Sequence, residues 1–168
     1  MEENLTTIEM PKKRPTFLTV LCILSFIGSG YFGLIQPIYN YATFENTYAE
    51  KMQKTAEALE QMEEAGMESG FFYDMAANGM VQLKAMSENL EAITGANCLF
   101  ALLSLIGVFL MFKLKKNGFY LYSFANVFWL LVPLALIDFD SMIMWTLIGA
   151  VITAIFIILY AVNLKHMN

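Results

Sequence analysis

A single histidine, His166, and two cysteines, Cys22 and Cys98, are all that 168 residues offer of imidazole and thiol. One histidine excludes a multi-histidine metal site and a histidine-based triad built within one chain. Each thiol lies near the start of its apolar segment, but the first and second segments cross in opposite directions, so Cys22 falls near the inner end and Cys98 near the outer end. They are too far apart in depth to bridge, and both are expected to be small packing residues. Charge is scarce as well, at 15% of residues against 58% apolar, which is outside the balance of a globular domain. It is missing altogether from four stretches, 17–39, 92–112, 118–137 and 142–164, none of which contains Asp, Glu, Lys, Arg or His. Proton-coupled transporters and intramembrane hydrolases place costly ionisable groups inside such stretches, so their absence weighs against both classes.

What is present is length and continuity. Each stretch has about 20 residues, enough for a helix to cross roughly 30 Å of hydrocarbon at 1.5 Å per residue. A soluble alternative would need helices apolar on every face, and so short a chain has too little polar surface to wrap them. The expected fold class is therefore all-α, an integral membrane four-helix bundle. The first stretch follows Lys12, Lys13 and Arg14, and Gly28 and Gly30 raise the option of a cleaved signal peptide. Phe32, Leu34, Ile35 and Ile38 carry the run on to full spanning length, which favours a retained helix.

Basic residues set the orientation. Lys12, Lys13 and Arg14 precede the first span, Lys113, Lys115 and Lys116 lie between the second and third, and Lys165 follows the fourth. The opposite side has Lys51, Lys54 and Lys84 against ten acidic residues, and then Asp138 and Asp140 with no base. Counting Lys and Arg alone puts both ends in the cytoplasm. The organisation is then a cytoplasmic tail (1–16), span 1 (17–39), an extracytoplasmic segment (40–91), span 2 (92–112), a cytoplasmic loop (113–117), span 3 (118–137), an outer turn (138–141), span 4 (142–164) and a cytoplasmic tail (165–168). Pro37 should kink the first helix or end its regular part.

Within 40–91, Tyr48, Met52, Ala56, Leu59, Met62 and Gly66 recur at three- and four-residue steps, and after a break at Gly66 to Gly70 so do Ala76, Gly79, Leu83, Met86, Leu90 and Ile93. This predicts a helical hairpin, packed through Met52, Leu59, Leu83, Met86 and Leu90, whose second arm runs on into span 2. At the tip, Phe71, Phe72 and Tyr73 are consecutive aromatics with no core of their own, and such clusters mark interfaces. The methionines of the hairpin are expected to be adaptable packing groups rather than copper ligands.

Gly28-Ser29-Gly30-Tyr31-Phe32-Gly33 satisfies the GxGxxG pattern of dinucleotide-binding turns, but that motif acts between a strand and a helix N-terminus, where amides are free. Inside a span, Ser25, Ser29 and Gly33 instead form a small-residue face for close helix packing, with Gly149 and Thr153 offering another on span 4. Asn97 and Asn126, the most polar side chains within spans, are expected to bond between helices or to line a polar path.

Lys113-Leu114-Lys115-Lys116-Asn117-Gly118-Phe119-Tyr120-Leu121-Tyr122, a lysine-rich loop opening into an aromatic-rich helix, resembles a junction in small four-span membrane proteins of Bacteroidota-type bacteria. The resemblance covers this junction and the general layout. It implies a bacterial inner-membrane location and supplies no catalytic residues. The expected function is that of a non-enzymatic membrane interaction protein, a small subunit, scaffold or homo-oligomer, presenting the acidic outer hairpin. The alternative is an oligomeric channel or transport protein for a cation or small solute. The expected partners are the lipid bilayer and a second protein or copy, with no cofactor and no nucleic acid.

Orientation is directly measurable. In a background lacking Cys22 and Cys98, Ser69→Cys should react with an impermeant maleimide on intact cells and Asn117→Cys should not. The reverse pattern, or labelling of both, would remove the orientation.

Overall fold

The computed structural model describes residues 14–137 and 139–168, with only the backbone of Asp140 and Ser141; residues 1–13, including Lys12 and Lys13, and Asp138 lie outside the described residues. Among the described residues the chain is all-helical, with no strand. The order is α1 (Thr16–Ile27), a π-helical segment (Gly28–Ile35), α2 (Gln36–Glu64), α3 (Phe71–Phe112), α4 (Asn117–Leu136), α5 (Phe139–Asn163) and a 3-10 turn (Leu164–His166). Four helical runs, Thr16–Glu64, Phe71–Phe112, Asn117–Leu136 and Met142–His166, are long and apolar enough to cross a membrane.

The helices do not break at 39/40 or 91/92. Apolar and amphipathic stretches share the helical period, so one backbone passes through both. Pro37 does not end its helix either; it sits in the first turn of α2. Proline offers no N–H and its ring crowds the carbonyl four residues back, that of Gly33. The chain meets this upstream, where wider i→i+5 bonding over Gly28–Ile35 hands on to α2 through the Gln36 N–H, which donates to the Tyr31 carbonyl.

Both α2 and α3 end in the same six-residue cap. At the end of α2, the Met67 N–H donates to the Met62 carbonyl (2.8 Å) and the Gly66 N–H to Glu63 (2.9 Å), with Gly66 left-handed at φ 75°. At the end of α3, Lys115 donates to Leu110 and Leu114 to Met111, both at 2.9 Å, but the left-handed residue is Leu114, at φ 61°. A side chain there costs roughly 1–2 kcal/mol. Leu114 offsets it by packing on the buried cluster of Leu18, Leu21, Cys22, Val108, Met111, Tyr122, Tyr160 and Met167.

That cluster closes one end of the bundle. Met167 and Asn168 are docked onto it: Met167 is 1% exposed, the Asn168 N–H donates to Leu114 (2.7 Å), and the Lys116 N–H donates to Asn168 (2.9 Å). Arg14 lies over the Phe112 ring, 3.5 Å from its centroid, at the same end.

Helices α3 and α4 approach closely at Gly107 and Gly118. A Cβ on Gly107 would lie 2.7 Å from the Tyr122 nitrogen and 2.9 Å from the Gly118 carbonyl; one on Gly118 would collide with the Gly107 carbonyl and stand 2.6 Å from the Met111 nitrogen. These neighbours are backbone and cannot swing away. Gly28, by contrast, has open space around its Cβ position. Gly107→Ala or Gly118→Ala should destabilise the protein in mixed micelles by about 1–3 kcal/mol, as overpacking does, read from the midpoint of denaturation by SDS. Gly28→Ala should be neutral or gain up to about 1 kcal/mol of helix propensity.

Candidate functional site

Between the π-helical segment, α3, α4 and α5, above the closed end, lies a cavity of about 600 Å³. Most of its wall is apolar, and its polar side chains are hydroxyls, one amide and one indole: Ser25, Ser29, Ser104, Tyr122, Asn126, Thr153 and Trp129. The backbone carbonyl of Tyr122 can only accept, so the Asn126 amide must turn its NH₂ toward it. One Nδ2 proton goes to that carbonyl (2.8 Å) and the other to Ser104 Oγ on α3 (3.0 Å). Ser104 in turn shares a proton with Ser29 Oγ at 2.8 Å. The chain Asn126–Ser104–Ser29 thus ties α4 to α3 and α3 to the π segment. Below it, the Tyr160 hydroxyl donates to Ser25 Oγ (2.9 Å), and its ring meets Tyr122 edge-on at 5.0 Å.

The residues expected to form packing faces are distributed around this cavity. Ser25 meets α5 through Tyr160, Ser29 meets α3 through Ser104, and Gly33 admits Ala101 so closely that a Cβ would stand 2.8 Å from that of Ala101. Gly149 faces the tip of Leu130, 3.0 Å from its Cβ position, and Thr153 lines the cavity. Asn97 lies on α3, half-buried and not among the lining residues; it precedes Ser104 by about 10 Å at the helical rise. The two asparagines are therefore not brought to one site.

At the far end of the α2–α3 pair the turn exposes Phe71 (61%) and Phe72 (66%), which meet edge-on at 5.4 Å. Tyr73 points back: its hydroxyl donates to Glu63 Oε1 on α2 at 2.9 Å, and the carboxylate holds the phenol above its usual pKa. On α2, Lys54 lies 2.6 Å from Glu50, lowering the carboxylate's pKa and raising its own, but both are exposed and such pairs contribute little. Met52, Leu59, Leu83, Met86 and Leu90, expected to pack the two arms, are all half-buried, whereas Ala56 and Gly66 of the first stripe are exposed. A separate groove of about 950 Å³ runs between α2 and α3 past Glu45, Glu88 and Glu91. It shares no lining residue with the inner cavity.

Three features were not singled out from sequence. Asn89 leaves helical geometry (φ −121°, ψ 20°) and donates to Ala85 and to Leu136, the last residue of α4, both at 3.2 Å. It thereby satisfies one of the orphan carbonyls of a helix end, yet in sequence it looks like any solvated amide. Pro133 lies inside α4 and removes the donor that the Trp129 carbonyl would otherwise have, a signal that was available in the sequence. Tyr160 is fully buried with its hydroxyl paired, inside a run otherwise read as apolar. Among the described residues no group of three or more His, Cys, Asp or Glu is placed to hold a metal ion. The chain matches no protein-family model, no curated protein and no solved structure.

The hydroxyl–amide chain predicts energetic coupling. Asn126→Leu and Ser104→Ala should each cost about 1 kcal/mol in mixed micelles, and the double variant should cost less than their sum by roughly 0.5–1 kcal/mol. Strict additivity would show that the bond contributes nothing.

Proposed function

We propose that the chain is a multi-pass membrane protein that acts without catalysis, as a small subunit, scaffold or homo-oligomer presenting an outer helical hairpin to a partner. Its termini and the 113–117 loop face the cytoplasm on the distribution of lysine and arginine, and the junction resemblance supports a bacterial inner membrane. Insertion is supported by α5, whose surface carries Trp145, Leu147, Val151, Ile155, Ile158 and Val162, each at least half exposed. Apolar surface of that extent is stable in hydrocarbon and a liability in water.

The observation that carries the interaction reading is the exposure of Phe71 and Phe72 at the turn while their neighbour Tyr73 is tied back to Glu63. The aromatics are not folded onto the arms that bear them. Two large apolar rings, rimmed by Glu68 and Asp74, have the composition of an interface anchor. A cation path draws less support. The acidic groove and the cavity at Asn126 are distinct voids, and the cluster around Tyr160 and Met167 fills the bundle below them.

Crosslinking in native membranes followed by mass spectrometry tests this. A partner or discrete oligomer should be captured through the hairpin and lost when Phe71→Ser and Phe72→Ser are combined, with expression and insertion unchanged. Ion conduction by the purified protein in liposomes, abolished by Asn126→Leu, would overturn the proposal in favour of the channel.

A further inference from the structure

The inner cavity has polar capacity that its own walls do not use. Thr153 lines it, and its hydroxyl makes no hydrogen bond to another described residue. Both protons of the Asn126 amide are committed to Tyr122 and Ser104, which leaves Oδ1 as an acceptor without a donor among the described residues. A hydroxyl and an amide oxygen that face a mostly apolar cavity without a partner among the described residues are available to a ligand, so a molecule with O–H groups that donate and accept would gain by occupying the space.

The walls restrict what that molecule is. No lining residue carries a charge, so an ion would be desolvated there without a counter-charge. Apart from the hydroxyls, the amide and the Trp129 indole N–H, the wall is made of groups such as Phe100, Leu130 and Phe156, suited to an aliphatic body. A volume of about 600 Å³ falls within the range of small-molecule sites, roughly 300–1,000 Å³. Access is sideways. Leu24, Phe32 and Ile152 line the cavity yet are 50%, 62% and 54% exposed, so they form its rim on the apolar flank of the bundle, between the α1–π run and α5. A ligand arriving through that rim comes from the hydrocarbon rather than from water.

We infer that this cavity is a lateral binding site for an uncharged, hydroxyl-bearing lipid of the acylglycerol kind. Its head lies against Asn126 and Thr153, and its chain leaves past Phe32 and Ile152. The π-helical segment is what makes the room, since its wider turn carries Gly28 on the cavity wall with nothing within 4 Å of its Cβ position. This inference rests on the membrane location proposed above, and not on the partner of the hairpin.

The two tryptophans separate these ideas. Trp129 lines the cavity and Trp145 is 54% exposed on α5. In liposomes, Trp145 alone (in Trp129→Phe) should be quenched by chain-brominated phosphatidylcholine. Trp129 alone (in Trp145→Phe) should be quenched saturably by chain-brominated monoacylglycerol, reversed by monooleoylglycerol and not by methyl oleate. Thr153→Val removes a hydroxyl with no partner among the described residues, so it should leave folding intact and weaken that binding about fivefold or more, a hydrogen bond's worth. Gly28→Leu should fill the space and abolish saturation. If Trp145 is not quenched, the membrane location itself fails. If Trp145 is quenched but Trp129 responds linearly, equally to both brominated lipids and unaltered by Thr153→Val and Gly28→Leu, the lipid site is overturned and the membrane location stands.

Discussion

The close approach of α3 and α4 at Gly107 and Gly118 is the constraint on which the remaining geometry depends. With each glycine's missing side chain replaced by the other helix's backbone, the two helices cannot rotate or slide without opening a void or a clash. That lock sets where Ser104 faces Asn126 and where Val108 and Met111 meet Tyr122. Between apolar helices in hydrocarbon there is no hydrophobic drive to pair, so close van der Waals packing and interhelical hydrogen bonds must supply the association. Both occur along this one seam.

From that seam the bundle is asymmetric. Toward 113–118 it is shut by a cluster to which the chain's last residues add Met167, and by the left-handed turn at Leu114 whose carbonyl receives the Asn168 N–H. Away from it the helices part, first around a cavity with a few hydroxyls and then around an open acidic groove between α2 and α3. A bundle closed at one end and hollow above it fits the lateral binding proposed above better than passage through.

The π-helical segment links two features that look unrelated in sequence. Pro37 demands relief from the carbonyl of Gly33, and Gly28-Ser29-Gly30 supplies a backbone loose enough to give it through wider hydrogen bonding. The same loosening shifts the register of the small residues, so Ser25 faces Tyr160 on α5 while Ser29 and Gly33 face Ser104 and Ala101 on α3.

The sequence by itself determined the all-helical class and four runs with the length and composition to cross a membrane, and its amphipathic pattern marked Met52, Leu59, Leu83, Met86 and Leu90, which are half-buried. These follow from period and apolar length, which are local properties of the chain. It also singled out Ser29, Gly33 and Asn126 as groups suited to helix contacts, because small and amide residues within an apolar run are conspicuous. Partners were another matter. That Ser29 meets Ser104, that Gly107 and Gly118 meet backbone to backbone, that Asn89 caps α4 and that Tyr160 reaches Ser25 depend on the relative rotation of helices up to 135 residues apart. Helical periodicity says which face a residue occupies but not which neighbour that face will meet, and only the packed tertiary structure decides that.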